Sequence, residues 1–285
     1  MVRRLRIPFF IFLILFYFLP LQQDSIGQVN PKTKVAFTID DLPFSSYRTL
    51  NTTEKNFIYD KIISTFAKYK IKAVCFVIGS NYKPVDQPFL KKIADAGHIL
   101  ANHTFSHYDY NTVSFEQYSK DILKLDELLK KFNVPKKYFR FPYLSEGNTK
   151  EKLESIYSFL KQNAITPVPV SIFCTDVNFS QAFEKAYTKN DKKEIDRIAS
   201  EYLADFKNNT KRGLEFARNH TRKNPGHIML FHMSLLSAYT IDGLLEICRE
   251  YNLEFVTVDE ILKEEWYQKP PKYFGGTGYT HFERY

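Results

Sequence analysis

The 285-residue chain predicts an α/β fold: a distorted (β/α)7-type barrel of mostly parallel strands, with an inserted helical segment before the last strands. Three observations lead there. Short β-rich runs alternate with longer amphipathic stretches; about six or seven such units follow one another without a domain boundary; and the alternation is broken once, between Asp176 and Gly226, by charged, helix-prone sequence.

The first strand is KVAFTID, residues 34–40, which ends on the acids Asp40 and Asp41. Adjacent side chains on a strand point to opposite faces, so the two acids are expected to have separate partners. A helix follows near 54–69, with Phe57, Ile58, Ile62, Phe66 and Tyr69 at helical spacing. KAVCFVIG reads as a strand, PFLKKIADAG as a helix closed by Gly97, and HILANH as the next strand. Residues 114–132 carry Phe115, Tyr118, Ile122, Leu125, Leu128 and Leu129 at helical period, and KKYFRFPY is a strand whose end is set by Pro142. A helix at 150–162 precedes ITPVPVSIFCTD, the next β-rich run, and the helical insertion occupies about 180–225, expected as a cap. HIMLFHM, a helix near 241–251 and EFVTVDEIL complete the alternation, and the aromatic, Pro- and Gly-rich tail either packs across the barrel or reaches its cleft.

The N-terminus, MVRRLR followed by IPFFIFLILFYFLPL, has the basic and apolar regions of a secretory signal peptide, too short an apolar run to span a bilayer comfortably. Cleavage after Gly27 leaves a catalytic domain at 28–285 and implies a secreted or periplasmic protein; retention would leave a membrane anchor. Loss of three arginines (Arg3, Arg4, Arg6) and one aspartate (Asp24) lowers the net charge from +8 to +6. That mild basicity, with no Lys/Arg-rich block interleaved with aromatics, argues against nucleic acid as a partner. Cys75, Cys174 and Cys248 have no short-spaced pairing and read as buried small hydrophobes.

Chemistry concentrates at the strand ends. His103 and His107 stand four residues apart, the spacing that brings two imidazoles to one side of a helical turn. With Asp41, also at a strand end, they make a two-imidazole, one-carboxylate set of the kind that holds zinc and leaves a position for water. His98, which opens its strand, reads as structural. Arg140 needs a carboxylate, for which Asp40 is the candidate, and Leu230 and His232 share one face at the end of HIMLFHM, where an imidazole could donate a proton.

TIDD (Thr38 to Asp41), HTFSH (His103 to His107), RFPY (Arg140 to Tyr143) and LFH (Leu230 to His232) occur in this order, and in them the chain resembles the polysaccharide deacetylases, the NodB-homology group of carbohydrate esterase family 4. The resemblance implies a hydrolase removing acetyl groups from N-acetylated amino sugars of a glycan or oligosaccharide, with Zn2+ or another divalent cation such as Co2+ on Asp41, His103 and His107. It implies Asp40 as general base, Arg140 as its orienting partner, His232 as general acid and Asp176 as the carboxylate that tunes it. It further implies that the Tyr143 N–H stabilises the oxyanion and that Leu230 lines the acetyl pocket. The fourth motif departs from the family pattern, Asn178 and Phe179 standing in CTDVNF where Asp-Trp is usual. The same residue set would serve a hydrolase of a small amide or an O-acetyl ester, and an envelope carbohydrate-binding barrel without catalysis is the reading from another class.

Overall fold

The computed structural model describes residues 32–269, 271–278 and 280–284. The expected signal peptide lies outside the described residues.

Eight strands, β1 (Thr33–Leu42), β2 (Val74–Val77), β3 (Ile99–Asn102), β4 (Tyr138–Phe139), β5 (Thr166–Pro167), β6 (Ile172–Phe173), β7 (His227–His232) and β8 (Leu253–Phe255), form one parallel sheet. Its order is β5-β4-β3-β2-β1-β7-β6, with β8 paired to the start of β1. The sheet curls, with β2 in the middle of this order and β1 between β2 and β7, and its edges, β5 and β6, are adjacent in sequence. The expected distorted barrel is therefore a curled sheet that stays unclosed between these edges.

Period-two alternation sorts the side chains into two packed layers. Val35, Phe37 and Ile39 face outward, with Cys75, Val77, Met229 and Phe231, into the core beneath the helices. Ala36, Val74, Phe76, Ala101 and Ile228 face the inside of the curl. Its bottom is closed by Val258 and Ile261 of a short helix. The even-numbered series of β1 thus runs Ala36, Thr38, Asp40 from floor to rim, and that of β7 runs Ile228, Leu230, His232 beside it, since Asp40 is in register with His232. All three cysteines are buried and free, as expected. His98 is buried and accepts from the Ala73 N–H at 3.1 Å, a structural role.

The helices are α1 (Thr52–Lys68), α2 (Gln87–Asp95), α3 (Phe115–Leu129), α4 (Lys150–Gln162), α5 (Asp176–Thr188), α6 (Lys192–Thr221), α7 (Leu235–Glu250) and α8 (Val258–Leu262). Most begin on an oxygen-bearing cap whose side chain accepts from the first turn, Asn51, Ser114, Thr149, Asp191, Ser234 and Thr257 among them. Among the described residues, no helix is long and apolar enough to cross a membrane.

Three segments take a more definite form. EFVTVDEIL, which completes the expected alternation, divides into β8 and α8: Thr257 and Glu260 form a reciprocal capping box that starts α8 two residues after β8 ends, an S/T-x-x-E signal legible in TVDE. ITPVPVSIFCTD gives two two-residue strands, β5 and β6, because Pro167 and Pro169 cannot donate to a ladder. The insertion is not a cap over the barrel. It is the hairpin of α5 and α6, with Ile195, Ile198, Tyr202 and Phe206 buried in the outer core, and α6 seated on β6. Gly213 permits that seat, since a Cβ there would stand 2.8 Å from Ile172 Cγ1.

Candidate active site

A cleft of about 400 Å3 opens at the C-terminal rim of the central strands, where parallel α/β sheets place their sites. Asp40, Asp41, His103, His107, Tyr143, Leu230 and His232 all line it. Chain segments far apart in sequence converge here because strand ends meet only at this rim.

Asp40 and Asp41 do not point apart. Asp41 has φ +64°, and the pairing of β1 with β2 shifts register between Ile39 and Leu42. This left-handed residue in a bulge turns the second carboxylate back to the inner face, so strand alternation fails at this position. Asp41 Oδ1 then lies 3.6 Å from His103 Nε2 and 3.5 Å from His107 Nε2. The histidines converge without a helix. Residues 103–109 form a loop in which Thr104 (φ +60°) and His107 (φ +55°) are left-handed, and the imidazole centroids are 4.9 Å apart.

That loop is held from within the motif and from outside it. Asn102 Oδ1 accepts from the Thr104 N–H at 2.9 Å, Thr104 Oγ1 from the His107 N–H at 2.9 Å, and Asp121 from the N–H and hydroxyl of Ser106 at 2.7 and 2.8 Å. Ser80 N donates to Phe105 O at 2.6 Å, and Phe105 packs so close to Gly79 that any Cβ there would overlap its ring. Asn102, Asp121 and Gly79 escaped the sequence reading; only Asn102, a residue suited to turning the chain directly before His103, offered a local signal.

His103 Nδ1 lies 2.9 Å from the Arg140 carbonyl, which requires a proton on Nδ1 and leaves the Nε2 lone pair facing Asp41. Burial pulls both imidazoles down to about pKa 4, so they are neutral near pH 7 and able to ligate. Asp41 Oδ1 is buried without a hydrogen-bond partner. An unpartnered buried carboxylate oxygen beside two neutral imidazole lone pairs is the environment of a cation ligand set. Tetrahedral ligands at roughly 2.0–2.1 Å from zinc stand about 3.3–3.4 Å apart, close to the spacings here. Asp41, His103 and His107 therefore fit a divalent cation.

Around this triad lie two further groups. Asp40 Oδ2 is 3.9 Å from Arg140 Nη1 and 3.7 Å from His103 Nε2. Burial raises Asp40 to about pKa 6 against the opposing pull of Arg140. Arg140 is itself buried, donates at 2.8 Å to Thr38 Oγ1 and sits over the Phe76 ring at 4.7 Å, so its guanidinium is fixed beneath the acid. On the other side, His232 Nδ1 pairs with Asp176 Oδ1 at 2.8 Å, and Nε2 is 4.0 Å from Asp41 Oδ2. Asp176 is wholly buried at the start of α5 and also accepts from the His232 N–H (2.7 Å), the Val177 N–H (3.0 Å) and the Ser237 hydroxyl (3.1 Å). Burial alone would lower the His232 pKa, but Asp176 overrides it and raises it to about 10.

Tyr143 and Leu144 are left-handed at φ +56° and +53°. The hydrogen bonds of their turn start from Leu144 N and Ser145 N, which donate to Phe141 O and Pro142 O. The C-terminal tail straps this turn in place. Gly278 N donates to Tyr143 O at 3.0 Å, Gly275 N to Gly147 O at 3.1 Å, and the buried Arg284 reaches Leu144 O and, at 3.4 Å, Glu146. The tail packs across the barrel, as expected, and through Thr277 and Gly278 rather than an aromatic ring it lines the cleft. Leu230 joins Leu144, Val170 and Phe173 in a small apolar cluster. Of the inserted hairpin only Val177 lines the cleft, so α5 and α6 do not roof it.

The family model described as polysaccharide deacetylase matches residues 27–159, which hold the first three motifs. Over that stretch the chain is similar to the polysaccharide deacetylase family. The peptidoglycan-N-acetylglucosamine deacetylase of Bacillus cereus is 30% identical over 113 residues, 39% of this chain and 37% of its own length. The peptidoglycan-N-acetylmuramic acid deacetylase of Bacillus subtilis is 25% identical over 232 residues, 79% of this chain and 73% of its own length. The chain therefore spans little more than a third of the first relative and about three quarters of the second. Among solved structures, a family 4 carbohydrate esterase pseudoenzyme from Bacillus anthracis matches with TM-score 0.56 at 16% identity, over 82% of this chain and 66% of that one. At that identity the match establishes the curled-sheet fold alone, and a fold shared with a pseudoenzyme leaves activity to the site residues.

Proposed function

We propose that the protein is a secreted, metal-dependent deacetylase that hydrolyses N-acetyl groups on amino sugars of a glycan or oligosaccharide, converting R–NH–CO–CH3 and water to an amine and acetate. The observation that carries this is the convergence in one cleft of a cation-ready triad, an acid kept near pKa 6 and an imidazole kept near 10. Base and acid thereby coexist in their working forms. Between pH 6 and 10 Asp40 is ionised and His232 protonated, the two states that amide hydrolysis needs together.

Asp41, His103 and His107 would hold the ion, Zn2+ or another divalent cation such as Co2+. When bound, such an ion supplies Lewis acidity toward the acetyl carbonyl and lowers the pKa of water from 15.7 to about 7. Asp40 takes the proton from the attacking water, and Arg140 below it holds the carboxylate in place. The Tyr143 N–H donates to the oxygen on which negative charge develops, a contribution of roughly 3–4 kcal/mol for a well-placed donor. Leu230, Leu144 and Phe173 accept the acetyl methyl, and His232 delivers its Nε2 proton to the leaving nitrogen, which would otherwise depart as an amide anion. Relatives named as deacetylases of peptidoglycan, a polymer outside the membrane, support both the substrate class and the expected export.

Acetate release from N-acetylglucosamine oligomers, peptidoglycan fragments and acetylated xylan, measured with and without chelator, tests the proposal. Chelator-sensitive release from the N-acetylated substrates is expected. Release from xylan esters alone would replace the amide by an ester as substrate, and release indifferent to chelation would remove the metal.

A further inference from the structure

A second groove, of about 480 Å3, lies beside the catalytic cleft, and Phe173 and Gly278 form part of both walls. Its floor is the edge strand β6, one side is α6 and the other is the tail at Thr280 and Glu283. Because Gly213 lets α6 settle on Ile172, the helix presents Asn209, Arg212 and Phe216, spaced three and four residues apart, along one face to the groove.

The chemistry of that face is specific. Phe216 is 46% exposed, with its ring stacked on His220 at 6.0 Å, so an aromatic face is fixed in water with no apolar partner covering it. The acids of the groove are engaged: Glu283 accepts from the N–H and hydroxyl of Thr280 at 2.7 and 2.6 Å, and Glu215 faces Lys211 at 4.0 Å. Asn209 donates to Asp205 at 2.8 Å. Arg212 forms no hydrogen bond or ion pair among the described residues, although it lines the groove beside Phe216. An aromatic platform flanked by an unengaged guanidinium suits a pyranose ring, whose C–H face stacks on the phenyl while its hydroxyl and carbonyl oxygens accept from the planar donor.

The geometry points to this groove as a subsite for a sugar ring of the same glycan, adjacent to the ring being deacetylated, with Phe216 as platform and Arg212 as donor. The assignment rests on the deacetylase reading for the identity of the neighbouring ring. It makes the inserted hairpin, which does not roof the cleft, a lateral extension of the substrate path.

Isothermal titration of the full chain with cellotetraose, whose rings have the same shape but carry no acetamide to hydrolyse, tests it. The wild type is expected to bind cellotetraose about tenfold more tightly than cellobiose, and Phe216→Ala and Arg212→Gln each to remove that advantage. Both side chains are exposed, so melting temperatures should stay at the wild-type value. With N-acetylglucosamine oligomers the variants should lower kcat/KM for the tetramer about tenfold and leave that for the dimer unchanged. Equal wild-type affinity for the two cello-oligomers, or variants that bind like wild type, would overturn the subsite. Loss of cellotetraose binding in the variants, with no acetate released from any substrate by the wild type, would keep the subsite and refute the deacetylase reading. Length-independent acetate release would do the reverse.

Discussion

Asp176→Asn tests the acid side of the site most sharply. Asp176 is wholly buried, and its Oδ1 meets His232 Nδ1 at 2.8 Å. The rise of His232 from 6.5 to about 10 corresponds to roughly 5 kcal/mol of preference for the charged imidazole. A cation bound at Asp41 would cancel much of that residue's share and leave Asp176 as the main support of the proton. Asparagine keeps the side chain's shape but removes its charge, and burial, which already pulls the His232 pKa down, then prevails. The imidazole should titrate below 7, leaving less than about half of it protonated at neutral pH. Deacetylation at pH 8 should fall by about 10- to 100-fold, with metal content unchanged, and the alkaline limb of the kcat profile should move to lower pH, below 7. Stability follows with the same sign. A raised His232 pKa stabilises the folded state fully below pH 6.5 and progressively less as pH rises toward 10, so the wild type should lose melting temperature over that window and the variant should not. An Asp176→Asn enzyme with an unmoved alkaline limb would refute the assignment of His232 as acid.

Asp40→Asn should keep the cation, measured by metal analysis, and lose turnover by at least about 100-fold, since Asp41, His103 and His107 are untouched while the base is gone. His103→Ala should lose both, and strong chelation of the wild type should abolish an activity that Zn2+ or Co2+ restores. In the wild type the acid limb of the rate profile should lie near or below the Asp40 value of about 6, because a positive ion at the triad favours the ionised acid. Arg284→Met should leave Glu146 buried with its ion pair broken and cost about 3–5 kcal/mol, read as a lower melting temperature. Since Arg284 also holds the Leu144 carbonyl, kcat should fall at a temperature where the variant is fully folded.

The chain's own pattern announced the parallel α/β architecture, because each strand and helix carries its period locally: Phe57 to Tyr69 mark α1, and Leu153, Ile156 and Leu160 are buried on α4 within the boundaries expected for it. The residue types of the site were also legible, since Asp40, Asp41, His103, His107, Arg140, Tyr143, Leu230 and His232 stand at strand ends in short, ordered motifs, and strand ends share one rim. Their convergence depended on backbone conformations that no local period encodes. Asp41 at φ +64°, and Thr104 and His107 at φ +60° and +55°, are left-handed L-residues: the first sits where the pairing of β1 with β2 shifts register, and the other two in a loop held by Asn102, Asp121 and the packing of Phe105 on Gly79. Distance in sequence hid the strap from Arg284 to the Tyr143 turn and the seating of α6 on β6. Period and motif are properties of neighbours along the chain; the charge states of Asp40 and His232 arise from burial and partners that exist only once the sheet has curled.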